Sequence, residues 1–272
     1  MGIDPIGYKP WTGARTTTFK RTLIITKTFF LHKLKSWWIL SFLIIGWLIQ
    51  VLLSLILILM PHETLDSGIM PLLVGNIYFF TLIIILVSLI CSETVSEDIR
   101  SNSFVLYFSR SIKVESFLVG KMSGAFLTLS LLIFIPPVII AIALMGTQTG
   151  SDYLTSMGVL ALTIVAGFVG TVFLLPFGVM VSALTKRKSY AAIWTFMILF
   201  SLSIIGGIFS FLDANWLLLS PEFLLYYFYE WLFGEGLPSN IDGLLLATLF
   251  FAFMIIPLAI TYLRLHLKAV GK

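Results

Sequence analysis

Six apolar runs separated by polar stretches dominate the chain: residues 37–60, 70–91, 117–145, 154–184, 190–212 and 244–263. A helix rises 1.5 Å per residue, so roughly 20 apolar residues cross the hydrocarbon of a bilayer. Each run therefore predicts a membrane span, and the third and fourth are long enough to tilt or to extend past the bilayer. Two further segments neither span nor read as plain loops. Across residues 15–35, Phe19, Leu23, Phe30 and Leu34 recur near helical spacing among Lys20, Arg21, Lys27, Lys33 and Lys35. That pattern predicts a basic amphipathic helix at the surface of an anionic membrane; a disordered basic tail that only enforces topology accounts for the same charges. Residues 213–242 are too apolar for a free loop, with Trp216, Phe223, Tyr226, Tyr227, Phe228, Tyr229, Trp231 and Phe233. Tyrosine and tryptophan favour the bilayer interface, so this segment predicts short helices dipping into the outer leaflet.

The fold class expected is thus an all-α integral membrane protein. It has about six transmembrane helices, an N-terminal amphipathic interfacial helix and short external re-entrant helices between the fifth and sixth spans. Residues 1–36 form an N-terminal segment and residues 37–272 a single transmembrane domain. Pro136-Pro137, Pro176, Gly206-Gly207 and Pro257 interrupt the spans, and such residues kink membrane helices where neighbours satisfy the freed backbone groups. The pairs Gly120/Gly124 and Gly167/Gly170 permit close helix approach.

Composition agrees: 59% of the residues are apolar and 11% charged, against about half and a quarter in soluble domains. The charges then orient the bundle. With the N-terminus placed in the cytoplasm, all 17 lysines and arginines fall on the cytoplasmic side, including the Lys186-Arg187-Lys188 link between the fourth and fifth spans. The external loops then carry only acids, from Glu63 to Asp242. Both termini are accordingly expected in the cytoplasm of a multi-pass cell-membrane protein, with no cleavable leader.

The chemistry that the chain lacks narrows its function. Away from their ends the spans hold almost no ionisable side chain, whereas ion-coupled carriers need a site for the ion inside the membrane. There is no phosphate-binding Gly-x-x-x-x-Gly-Lys-Ser/Thr loop, no His-Glu-x-x-His zinc motif and no Gly-x-Ser-x-Gly nucleophile turn. His32, His62 and His266 lie near span ends on both sides, so no metal site is expected, and the single Cys91 excludes an internal disulfide. No catalytic residue, resident cofactor or nucleic-acid partner is expected.

One loop suggests more. Residues 92–116 carry Glu93, Glu97, Asp98 and Arg100, then Ser103, Leu106, Ser109 and Arg110, and lead to Gly120-Lys121. This segment resembles the cytoplasmic loop of the membrane subunits of type-2 ABC exporters, although Asn102 stands where that family favours glycine and the turn proline is absent. The resemblance extends to the amphipathic N-terminal helix, the six spans and the apolar external segment. It implies an ABC transporter permease that pairs with a second permease copy, or a related one, and docks on a separate cytoplasmic ABC ATPase. ATP and Mg would bind in that partner. Glu97, Asp98, Arg100, Phe104, Tyr107 and Arg110 would then form the docking surface, aromatics and arginine being common interface anchors. Without the resemblance, an amphipathic connector resting on membrane lipid explains the loop equally well. The second and fifth spans would line the path, with Asn76, Phe79, Phe80 and Ile83 on one and Phe196, Phe200 and Ile204 on the other; ordinary packing explains the same residues. The competing functions are an ATP-independent carrier or channel, and a membrane assembly factor that transports nothing.

Overall fold

A computed structural model of the chain describes residues 17–59, 80–103, 113–147 and 151–269. Among these residues every regular element is helical. In chain order they are α1 (Thr18–Leu34), α2 (Trp37–Leu59), α3 (Phe80–Cys91), α4 (Ser96–Arg100), α5 (Val114–Ile133), α6 (Ile135–Thr147), α7 (Ser151–Leu184) and α8 (Lys188–Phe209). A 3-10 turn (Ala214–Leu219), α9 (Pro221–Phe233) and α10 (Gly243–Ala269) complete the chain. Six helical stretches are long and apolar enough to cross a membrane: Trp37–Leu55, Phe80–Arg100, Val114–Ala143, Ser156–Leu184, Lys188–Phe209 and Gly243–Lys268. The protein is therefore an all-α, multi-pass membrane protein.

The third span is two helices. Pro136 and Pro137 have no N–H to offer the carbonyls of Leu132 and Ile133, so the helical ladder breaks and α5 gives way to α6 at Phe134. The indole of Trp47, on α2, donates to the Leu131 carbonyl at 2.8 Å beside the break. By contrast α7 and α10 run unbroken through Pro176 and Pro257.

The long α7 lies centrally, touching α3, α5, α6, α8, α9 and α10. Phe173 stacks on Phe250 and on Phe253 at 4.9 Å, and Phe250 in turn stacks on Phe228 at 4.3 Å, tying α7, α10 and α9 together. The 3-10 turn and α9 supply the short helices that residues 213–242 predict. Gly234, in the left-handed conformation that closes a helix without a side-chain clash, ends α9. Tyr229 projects from α9 into the bundle and donates its hydroxyl to the Ala166 carbonyl at 3.1 Å. Burial drives the Tyr229 phenol well above its ordinary pKa, so it remains a neutral donor.

In α1 the structure separates two faces that the sequence pattern blends. The face against α5 carries Thr22, Ile25, Thr26, Phe29 and Lys33, whereas Phe19 and Leu23 of the apolar stripe are exposed. The reason lies on α5. A Cβ on Gly120 would come within 2.9 Å of Ile25, and one on Gly124 within 2.8 Å of Phe29. The backbones approach closely enough for the Thr26 hydroxyl to donate to the Gly120 carbonyl at 3.1 Å. Small residues rather than large apolar ones mark such contacts in membrane proteins.

Candidate functional site

The chain leaves α3 at Cys91, turns, and forms the single turn of α4. Helix ends leave backbone groups without partners, and the residue before α4, Val95, has no side chain that can cap it. Ser182 of α7 performs that task from another helix. Its hydroxyl oxygen accepts the N–H groups of Val95 at 3.1 Å and Ser96 at 3.0 Å, and its proton goes to the Ser92 carbonyl at 2.9 Å. One side chain thus serves two donors and one acceptor in a turn whose residues Ser92, Thr94, Val95 and Ser96 are buried. The Thr94 hydroxyl donates to the Cys91 carbonyl at 2.6 Å and the Ser96 hydroxyl to the Ser92 carbonyl, so the turn is closed on itself.

Ion pairs centred on two carboxylates, Glu93 and Asp98, brace this turn. The Glu93 carboxylate is a hub: Oε2 accepts from Lys33 Nζ at 2.9 Å and Oε1 from Lys188 Nζ at 3.0 Å, with His32 Nε2 3.7 Å from Oε2. It joins α1, the end of α3 and the start of α8. Lys33 is only 2% exposed and also donates to the Leu89 carbonyl at 3.2 Å. Burial pulls the Lys33 ammonium below its ordinary pKa, and the carboxylate of Glu93 opposes that pull. The second carboxylate, Asp98 of α4, pairs with Lys121 of α5 at 2.9 Å. The Phe29 ring lies between these systems, with Lys33 Nζ and Lys121 Nζ each 5.3 Å from its centroid, a distance at which an ammonium is attracted to an aromatic face.

The arrangement holds α4 in place. Among the described residues no cluster of His, Cys, Asp and Glu is suited to hold a metal ion. Asp98 is 7% exposed and committed to Lys121, whereas Glu97 and Arg100 are exposed. The three docking candidates on α4 thus divide: Asp98 fixes the short helix, and Glu97 and Arg100 form its outer surface. Phe104, Tyr107 and Arg110 lie outside the described residues, as do Asn76 and Phe79. Of the remaining path candidates, Phe80 and Ile83 are buried in the chain's own core against its neighbours. Phe196 and Phe200 stack at 5.4 Å along α8 and are half-buried, while Ile204 is exposed.

The sequence pattern does not single out Lys33, Lys121, Lys188 or Ser182 as members of this junction. Two signals point to them. Basic residues outnumber acidic ones, 17 to 13, so Glu93 and Asp98 find partners readily. Lys33 also lies four residues beyond Phe29 and seven beyond Thr26, on the stripe that faces α5. No protein-family model matches the chain, and no curated protein matches it.

Proposed function

We propose that this chain is the membrane-spanning permease subunit of an ATP-driven ABC transporter, exporting a hydrophobic or amphipathic substrate by alternating access. Two copies pair in the cell membrane, and each docks on a cytoplasmic ATPase that binds ATP and Mg. Closure of the ATPases displaces the docked loop, and the spans reorient. The permease itself hydrolyses nothing.

The observation that carries this reading is the mounting of α4. A five-residue helix has little stability of its own. Here it is anchored to α7 through Ser182 and to α5 through the Asp98–Lys121 pair, with Glu97 and Arg100 turned outward. A push on that outer surface is delivered to the spans and not absorbed by a slack loop. The near-absence of ionisable groups at mid-span fits a transporter that takes its energy from a partner.

The test is purification of the tagged full-length chain from its native membranes. An ABC ATPase is expected to co-elute, and its ATP hydrolysis is expected to change when the two are reconstituted in lipid. Arg100→Glu weakens the pairing. ATPase activity that is the same with and without this chain would refute the proposal.

A further inference from the structure

The end of α1, the start of α2 and the start of α8 surround a cavity of about 450 Å³ beside the Glu93 hub. Lys33, Lys35 and Lys188 line it, with His32 alongside. Its one acid, Glu93, already has a lysine on each oxygen. Three ammoniums against one carboxylate leave a surplus of two positive charges in the lining. Among the described residues Lys35 has no carboxylate partner. The amino end of α8 borders the cavity at Lys188 and Ser189, and the preceding Arg187 provides no side-chain cap. A helix amino end carries partial positive charge and unpaired N–H groups, so it adds to the same field.

The other side of the cavity is apolar, formed by Trp38, Ile39, Leu89 and Ala192. Trp38 is exposed at the first turn of a membrane span, the position that tryptophan takes at the lipid–water boundary. From there α2 and α8 both pack on α3. Half-buried Leu82, Ile85 and Leu89 recur at helical spacing along α3, and Leu40 and Ile44 of α2 and Ile193 and Met197 of α8 are exposed. A small soluble anion would use the cations and ignore this apolar surface. A molecule with a phosphate at one end and acyl chains at the other uses both.

We infer that this cavity binds the headgroup of an anionic phospholipid, with Lys35, Lys188 and the amino end of α8 holding the phosphate and Trp38 resting on the glycerol backbone. The lipid then bridges the α1–α2 corner to α8, across the same junction that Glu93 ties from within. The site does not depend on the transport reading, because it uses only groups already placed in the bundle.

The experiment uses the purified full-length chain, delipidated in a neutral detergent and titrated with phosphatidylglycerol or phosphatidylcholine. Bound lipid is counted by native mass spectrometry, and protection is read as the thermal unfolding midpoint. Phosphatidylglycerol is expected to be retained and to raise the midpoint, and phosphatidylcholine to do neither. Lys35→Gln should weaken retention about fivefold, the effect of one lysine near an anionic surface. Lys268→Gln removes the same charge outside the cavity and should leave retention unchanged. Equal retention of the two lipids overturns the proposal without reference to any variant. An equal loss in both variants overturns it as well, since that is a response to net charge. Protection by millimolar glycerol phosphate equal to that by the lipid would assign the cavity to a free organic phosphate instead.

Discussion

The Lys33 ammonium lies 2.9 Å from the Glu93 carboxylate, across 60 positions of sequence, and is all but removed from solvent. Taking one partner from such a pair strands the other charge in a poor solvent, at a cost of about 3 kcal/mol. Glu93→Gln should therefore lower the thermal unfolding midpoint far more than Lys188→Gln, whose side chain is 51% exposed and whose pairing is worth at most about 1 kcal/mol. Adding Lys33→Met to Glu93→Gln replaces the stranded charge with an apolar chain of similar length. That double variant should recover most of the loss, because a buried pair exchanged as a unit for apolar groups is often nearly neutral. Equal midpoints for the two single variants would show that Lys33 does not rely on Glu93.

Ser182 acts at a distance in the same junction. Ser182→Ala leaves the N–H groups of Val95 and Ser96 without their partner and the Ser92 carbonyl with the Ser96 hydroxyl alone. Each unsatisfied buried group costs about 1–3 kcal/mol, reduced where the turn can relax or admit water; a net loss of about 2 kcal/mol is expected. Hydrogen exchange separates this from a general loss of stability. The amides of Val95 and Ser96 should exchange faster in the variant while those of mid-α7 stay protected.

The number of spans is legible in the sequence because each span obeys the bilayer. About twenty apolar residues are needed to cross it. The short helices at residues 214–233 are legible too, since aromatic residues bracketed by Ser220-Pro221 and Gly234 have few other conformations open to them. Which face of α1 packs is not legible from hydrophobicity. Lipid tails are as apolar as leucine, so Phe19 and Leu23 stay exposed while Thr22 and Thr26 meet the glycines of α5. The site was half visible for a related reason. Glu97 and Arg100 present themselves as a polar surface, but Ser182 is one hydroxyl in a long apolar run, and its role depends on a turn nearly 90 residues earlier coming alongside.

Gly178 marks a close approach of α7 to α3, where an added Cβ would lie 2.6 Å from the Cβ of buried Cys91. Cβ atoms cannot rotate away, so Gly178→Ala must push the helices apart, and overpacking of this kind costs about 1–3 kcal/mol. Gly207 on α8 has nothing within 4 Å of the corresponding position. Gly207→Ala should be neutral or raise stability by up to about 1 kcal/mol through helix propensity alone. A lower unfolding midpoint for the first variant but not the second, measured in one detergent, checks the α3–α7 contact.

Tyr229 and Gly170 should behave as a single unit. A Cβ on Gly170 would lie 2.1 Å from the Tyr229 hydroxyl oxygen but 3.4 Å from the ring carbon that bears it. Gly170→Ala alone must therefore dislodge the phenol from the Ala166 carbonyl and the ring from its pocket, at about 1–3 kcal/mol. Tyr229→Phe alone gives up the hydrogen bond and leaves the carbonyl in its helix, at about 1 kcal/mol. The double variant removes the very atom that the new methyl would strike, so its cost should be less than the sum of the two singles by about 1 kcal/mol or more. Residues in contact show coupling of this size, and distant ones do not. Strict additivity in a double-mutant cycle, read from denaturant or thermal unfolding, would mean that α9 does not seat Tyr229 against α7.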